Sequence, residues 1–299
     1  MTSSRTVSGM LLALTALACF ATLDTSAKVA TLTLPLLLGL WFRYIFQAVI
    51  TSAVMLPQRG RAMFHTQRLR LQLLRGVLLW ATSLLTFLSV SHMGVGEFTA
   101  IGMLAPMVVT LLAARLLRER VSTLRLILVG GGFIGTLIIM RPGGGLFGWI
   151  MLLPLMQVGT HASFQLLTGH LIKHEDPMVT HFYTGWVGAL LASITLPFVW
   201  VTPQTAKEWM VLSLMGIMGT LGHFLLIQAY RRAPAAAIMP LLYLQIGFAM
   251  FGGWLVFNHA PDAVSMLGMA LIGVCGAASA WLTVREHHRP SPLPPIDPV

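Results

Sequence analysis

Charge is scarce in this chain. Only 9% of its residues are Asp, Glu, Lys or Arg, where a soluble domain carries about 25%. Acids are the rarer sign, nine against nineteen Lys and Arg. So few charges cannot coat a water-facing surface, which excludes an ordinary soluble domain. The cysteine count is two, Cys19 and Cys275. That excludes a disulfide framework and a Cys-rich metal site, and both read as packing residues inside apolar runs. No loop is long enough for a separate soluble domain, which disfavours a receptor or assembly subunit working through one. No Gly-Lys-Ser/Thr phosphate loop occurs, and the glycines at 130–132 and 135 follow no strand, so ATP is not expected to drive the protein directly. The apolar runs are too long and too unbroken for strands.

What is present is a series of ten apolar segments, at about 8–28, 36–56, 72–92, 97–117, 123–140, 146–171, 178–201, 209–230, 237–257 and 264–284. A hydrocarbon core about 30 Å thick takes roughly 20 helical residues to cross. Short links such as Gly94–Gly96 and Pro142–Gly145 force antiparallel helical hairpins. The sequence therefore predicts an all-α integral membrane protein of ten transmembrane helices. Arg5 followed by Met10–Phe20 resembles a signal peptide, and Ala16-Leu17-Ala18-Cys19 a lipoprotein cleavage box. Yet the box normally has Leu where Ala16 stands, and cleavage would remove a span, so the segment is read as helix one.

Orientation follows from the cations. With the N-terminus inside, fifteen of the nineteen Lys and Arg residues fall in inside segments: Arg5, Arg59, Arg61, Arg68, Arg70, Arg75, Arg115, Arg118, Arg120, Arg125, Lys173, Arg231, Arg232, Arg285 and Arg289. Lys28, Arg141 and Lys207 fall outside, and Arg43 is assigned to a span. This bias predicts both termini in the cytoplasm and a location in the cell inner membrane. The net charge of +10 sits at helix ends, not on one soluble face. It suits anionic lipid headgroups and not nucleic acid. The Pro-rich stretch 285–299 is predicted to be a disordered cytoplasmic tail.

The segments divide into two fives, residues 1–141 and 142–284. Residues 91–135 and 231–275 align at an offset of about 140, each with a Pro-bearing span (Pro106, Pro240), a link and a Gly-rich span. Five spans per half is odd, so the halves cross the membrane in opposite senses, as two inverted five-helix repeats. Such repeats mark secondary transporters with a midplane site. In order and spacing, Trp41-Phe42-Arg43-Tyr44, Gly96-Glu97-Phe98-Thr99-Ala100-Ile101, Ala105-Pro106, Leu117-Arg118-Glu119-Arg120-Val121, Arg141-Pro142-Gly143, Glu175-Asp176-Pro177, Phe182-Tyr183 and Tyr230-Arg231-Arg232-Ala233-Pro234 resemble the drug/metabolite transporter superfamily, with two EamA-type halves over about residues 8–284. The resemblance implies a ten-helix carrier of small organic metabolites, often outward. One departure is Asn258-His259, where the family usually has Gly-Glu.

Polar groups inside spans are costly and so worth weighing singly. Gln157, His161, Gln165 and Thr168 form one stripe of span six, a wall of a central cavity or a seam to another helix. His161 is its member able to titrate near neutrality. Gly216, Thr220, His223, Ile227 and Tyr230 form a stripe of span eight, with His223 either a site residue or a satisfied core histidine. Trp80, Phe164, Tyr183, Trp186 and Tyr243 offer faces for stacking on a ring. His92, His170 and His181 read as interfacial. His170 and His174 have a metal pair's spacing with Glu175 nearby, but an interfacial loop is the simpler reading, and no metal or other cofactor is expected. Asp24 and Lys28 stand i, i+4 and are open to simple pairing. Arg43 lies too deep to snorkel and calls for a carboxylate partner, Glu97 or Asp24, or a substrate carboxylate. Glu119, between two arginines, reads as an interfacial capping residue.

The expected function is a secondary transporter, exporting small metabolites such as amino acids or their derivatives by alternating access. Its partners are a small-molecule substrate and membrane lipid. Proton coupling through Glu97, Asp24 or His161 and facilitated exchange both remain open. A membrane-embedded enzyme acting on lipid is the alternative, but the ten histidines are scattered and form no tightly spaced catalytic set. The chain is therefore not expected to be an enzyme.

Overall fold

The computed structural model describes residues 3–116, 123–140, 150, 152–171, 174–233 and 238–287. The expected link Leu117-Arg118-Glu119-Arg120-Val121, the stretch Arg141-Pro142-Gly143 with the join between halves, Lys173, Pro234 and the tail after residue 287 lie outside these. Among the described residues the regular structure is helical, with no strand. In order the helices are α1 (Ser3–Ala30), α2 (Leu36–Arg59), α3 (Leu69–His92), α4 (Val95–Gly102), α5 (Ala105–Leu116), α6 (Thr123–Met140), α7 (Leu152–Leu171), α8 (Pro177–Val199), α9 (Ala206–Arg232), α10 (Gln245–Phe257) and α11 (Ala263–His287). Short 3-10 helices occupy Gly60–Phe64 and Met239–Leu244.

Five of these, α1, α2, α3, α8 and α9, are long and apolar enough to cross a membrane. Shorter apolar helices lie in the α4–α5, α6, α10 and α11 regions. Local chemistry sets several ends. Pro177 occupies the first turn of α8, and Asp176 Oδ1 accepts from the Met178 N–H at 2.7 Å. At α9, Glu208 N donates to Thr205 Oγ1 at 3.2 Å while Thr205 N donates to Glu208 Oε2 at 3.1 Å, a reciprocal cap. α10 ends at Asn258 in the left-handed region, φ 52°.

Both proline-bearing segments are irregular. Met103 and Leu104 separate α4 from α5, and Leu104 N reaches back only to Ile101 O, at 3.0 Å. The next position but one is Pro106, which has no N–H to continue the ladder. Pro240 lies in the first turn of the 3-10 segment Met239–Leu244, which runs directly into α10.

Helix packing is pairwise. α1 lies along α9, α3 along α7, α2 along α8, α6 along α11 and α4 along α10. α2 also meets α9, α3 meets α8, α1 meets α10, and α4 and α5 meet α7. The α6–α11 crossing is glycine on glycine: a Cβ on Gly135 would stand 2.8 Å from Gly268 O, and one on Gly268 2.7 Å from Gly135 O. Backbones approach this closely only without side chains.

The bundle is apolar outside and polar within. Phe198 is 88% exposed, and Ile194 and Val274 are each 68% exposed. Arg43, Gln47, Arg75 and His181 are all buried. A protein dissolved in water has this distribution the other way round; one dissolved in lipid does not.

Candidate functional site

The buried polar side chains gather where α2, α3, α8 and α9 meet. α2 contributes Arg43, Tyr44, Gln47 and Thr51 at helical spacing on one face. Arg43 Cζ lies 4.4 Å from the Tyr44 ring centroid, and its Nη2 lies 3.4 Å from His223 Nε2 on α9. A guanidinium can only donate, so His223 Nε2 accepts and the ring proton sits on Nδ1. Arg43 Nη1 is buried with no partner among the described residues. The His223 ring is 6.1 Å from that of His181 on α8 and meets Phe20 of α1 edge-on at 5.0 Å. Gln47 Nε2 is 3.3 Å from His181 Nδ1, leaving His181 Nε2 buried and unpartnered.

α3 supplies the second arginine. Arg75 Nε donates to Thr168 Oγ1 on α7 at 2.7 Å, and Nη1 donates to Thr180 O at 3.2 Å and to Thr184 Oγ1, both on α8. Its Cζ stacks 4.4 Å over the Phe164 ring. Gln72, one turn earlier, donates to Thr180 Oγ1 at 3.1 Å. The charges of Arg43 and Arg75 both act on His181 and His223. Tyr44, whose ring lies under the Arg43 guanidinium, has its hydroxyl 2.9 Å from Ser83 Oγ on α3.

The rings of His161 and His223 are half-buried. A side groove of about 240 Å³, almost wholly apolar, also leads between α2, α8 and α9 to His181 and Thr220.

The span-six stripe divides along α7. Thr168 binds Arg75. His161 lies 3.3 Å from Gln165 Nε2 and stacks on Phe164, with centroids 6.1 Å apart. Gln157 is buried towards Gly102 of α4, its Oε1 without a partner. Trp80 is half-buried against the α2–α3 core, and its indole N–H has no acceptor. Two proposed stacking residues lie elsewhere. Tyr183 donates its hydroxyl to Phe64 O at 2.8 Å and packs over the Gly60–Phe64 turn. Tyr243 is buried against α11 in the slot left by Gly276.

Three expectations about charge are corrected. Arg43 forms no ion pair with Glu97, because Glu97 lies in the first turn of α4, where its Oε1 is 3.1 Å from His259 Nε2. Lys28 does not pair with Asp24: its Nζ donates to Met93 O at 2.6 Å and lies 5.3 Å from the Phe257 ring centroid. Asp24 accepts no hydrogen bond among the described residues, though the Arg43 charge acts on it. Arg75, taken as an inside-loop cation, is a buried residue of α3, and His181, taken as interfacial, is 4% exposed. Beside the N-terminus of α8, Glu175 Oε1 accepts from Gln67 N and Arg68 N at 2.9 and 3.1 Å, and Arg68 Nη1 donates to His170 Nε2 at 2.7 Å. Both side chains thus reach the α2–α3 link, and the His170 and His174 rings lie 5.8 Å apart.

Sequence reasoning missed Tyr44, Gln47, Gln72, Arg75 and His181. The signal was available as periodicity. Gln72, Arg75, Thr82, Ser83, Thr86 and Ser89 share the buried face of α3, and Arg43, Gln47 and Thr51 share that of α2.

A bundle that is greasy outside, with a polar interior lined by several helices, defines a membrane carrier. The chain belongs to the EamA-like transporter family, whose profile matches residues 7–141 and again 148–280. It is a multi-pass membrane protein and a transporter, not an enzyme. It is 27% identical to a riboflavin transporter of Brucella anthropi, over 80% of this chain and 86% of that one. It is 27% identical to an S-adenosylmethionine uptake transporter of Rickettsia bellii, over 78% and 79%. It is 26% identical to a pseudopaline exporter of Pseudomonas aeruginosa, over 89% and 94%. A solved crystal structure superposes with a TM-score of 0.65 over 95% of this chain and 99% of its own, at 18% identity, a likeness of fold alone.

Proposed function

We propose that the chain is a secondary transporter that exports a small organic metabolite by alternating access around a midplane cavity. Ten spans form two inverted repeats of five, in the inner membrane, with both termini in the cytoplasm. One observation carries the reading: four basic side chains, Arg43, Arg75, His181 and His223, come one each from α2, α3, α8 and α9 and meet between the two halves.

The helix pairing supports the repeat. Exchange each pass for the one five passes later, so that α1 becomes α7, α2 becomes α8, α3 becomes α9, the α4–α5 pair becomes the Met239–Leu244 turn with α10, and α6 becomes α11. The α1–α9 contact then becomes α7–α3, α2–α9 becomes α8–α3, and α1–α10 becomes the contact of α7 with α4 and α5. The α2–α8, α4–α10 and α6–α11 contacts map onto themselves. All these contacts are present. A site on such a pseudo-axis is reached from either side by rocking one half against the other.

Relatives named for uptake and for export both occur, so the outward direction rests on the family resemblance. The test is flux. Purified protein in liposomes preloaded with a pool of cell metabolites should accumulate labelled substrate by counterflow, without altering it chemically. Chemical conversion without net movement would support the lipid-enzyme alternative instead. A reporter fused after Leu282 should be active only in the cytoplasm; periplasmic activity overturns the topology.

A further inference from the structure

We propose that the central cavity is built for an organic anion, a carboxylate on an apolar, ring-bearing body, with Arg43 receiving the carboxylate. The proposal rests on the transporter reading and adds the charge and shape of the cargo.

The sign comes from the charges of the cluster between α2, α3, α8 and α9. Among the described residues this cluster holds two guanidiniums, Arg43 and Arg75, with Asp24 beside Arg43 and the rings of His161, His181 and His223 around them, while the other buried carboxylate, Glu97, is on α4 against His259. Arginine stays charged, so the cluster holds one net positive charge when Asp24 is ionised and two when it is protonated. Protonating any of the histidines only adds to it. The sign therefore does not depend on any titration. A buried charge without a counter-charge is costly unless something pairs with it.

The two arginines have different tasks. Arg75 has its donors on Thr168, Thr180 and Thr184 and its face on Phe164, so among the described residues it is a fixed charge with neutral partners. Arg43 is 4% exposed, and its Nη1 meets no acceptor among the described residues. One turn along α2 from Arg43, Gln47 stands 3.3 Å from His181 Nδ1, and the Nε2 of that ring is also buried and unpartnered among the described residues. Two unused N–H donors beside a net positive charge suit a carboxylate oxygen pair. Gln47 Oε1, unpartnered as well, can accept one N–H from the same solute. The surroundings beyond these groups are Phe20, Tyr44, Phe164 and the apolar side groove ending at His181. They offer ring faces and oil, not further charge.

Three probes of one shape separate the possibilities: indole-3-acetate, its neutral isostere indole-3-acetamide, and the cation tryptamine. Binding to the purified full chain is read by calorimetry and by thermal shift, then counterflow is read in phosphatidylcholine liposomes. The acetate is expected to bind about tenfold or more tightly than either analogue, the usual worth of a charge-assisted bond. Arg43→Gln should erase that preference, and Arg43→Lys should keep much of it. The ranking on the unmodified chain decides the matter even where a variant fails to fold. Equal binding of all three, preference for the amide or the amine, or binding of none overturns the proposal. Preferential binding of the acetate with no flux of any solute refutes the transporter reading but leaves the anion site standing. Counterflow of tryptamine in preference to the acetate does the reverse.

Discussion

His259 Nε2 lies 3.1 Å from Glu97 Oε1, joining the first turn of α4 to the link between α10 and α11. Glu97 is buried and its second oxygen has no partner, whereas His259 is about half exposed. The contact ties the two halves together at the end where Lys28 holds Met93 O. Removing His259 leaves a buried carboxylate with neither oxygen satisfied. His259→Ala should therefore cost about 1 kcal/mol, towards the low end for a bond to a charged group because one partner is wet. The double change with Glu97→Gln should cost less than the sum. Thermal unfolding of the detergent-solubilised protein checks both.

Arg43 and Glu97 have different partners, and their variants should behave independently. Arg43→Ala and Glu97→Ala are expected to add to within about 0.5 kcal/mol. Arg43→Ala with His223→Ala should depart from additivity by about 0.5–1.5 kcal/mol, because these two side chains touch. A double-mutant cycle on unfolding midpoints measures each. Strong coupling of Arg43 to Glu97 would contradict the geometry described here.

The helical membrane class was legible because lipid imposes it: apolar runs and alternating loop cations leave few other folds. Pro106 and Pro240 lack the N–H that a continuous helix needs, which left a break and a mere bend equally open from the sequence; the structure has the α4–α5 step and the Met239–Leu244 turn there. Charge partners were not legible. Arg43 did need a partner, but which side chain reaches it depends on how deep each helix sits and how it is rotated. In the fold Glu97 meets His259 and Arg43 meets His223. Arg75 was misread because an arginine seven residues into α3 looks like part of the basic loop before it. Its buried role shows only when Gln72, Arg75 and Thr82 are read as a single face. Asn258-His259 looked like a loss of the family's acidic residue, and in three dimensions His259 stands opposite the remaining acid, Glu97.

The α2–α8 interface depends on Gly188. A Cβ there would collide with the ring of Tyr44, which is fully buried and hydrogen-bonded to Ser83, so it has no room to yield. Gly188→Ala is expected to destabilise by about 1–3 kcal/mol, the usual cost of overpacking. Gly159→Ala on α7 is the control. Nothing lies within 4 Å of its Cβ position, so it should be neutral or gain up to about 1 kcal/mol from helix propensity. Unfolding midpoints of the two variants in the same detergent decide this. Equal effects would mean that α2 and α8 do not pack through Tyr44.

The N-terminal end of α8 should carry a pH-dependent part of the stability. Asp176 caps the helix through Met178 N at 2.7 Å and lies 2.5 Å from Arg59 Nη1. Partial burial pushes its carboxyl up, but the Arg59 bond, the backbone donors and the Arg59 charge outweigh that and hold it below the usual carboxylate range. A carboxyl lowered in the folded state binds protons less readily than in the unfolded chain. Its stabilising share is thus fully present above the unfolded value, near 3.9, and is lost as pH falls through the lower, folded value. Both side chains are more than a third exposed, so water screens the pair and the share is small, a few tenths of a kcal/mol to about 1. Asp176→Asn keeps a capping oxygen and removes the titration. The variant should therefore lose stability at neutral pH by that amount and show a flatter acid limb. Unfolding midpoints measured from pH 7 down to about pH 3, within reach of the carboxylate range, test this. Parallel curves for the two proteins over that range would rule out a contribution from the Arg59–Asp176 pair.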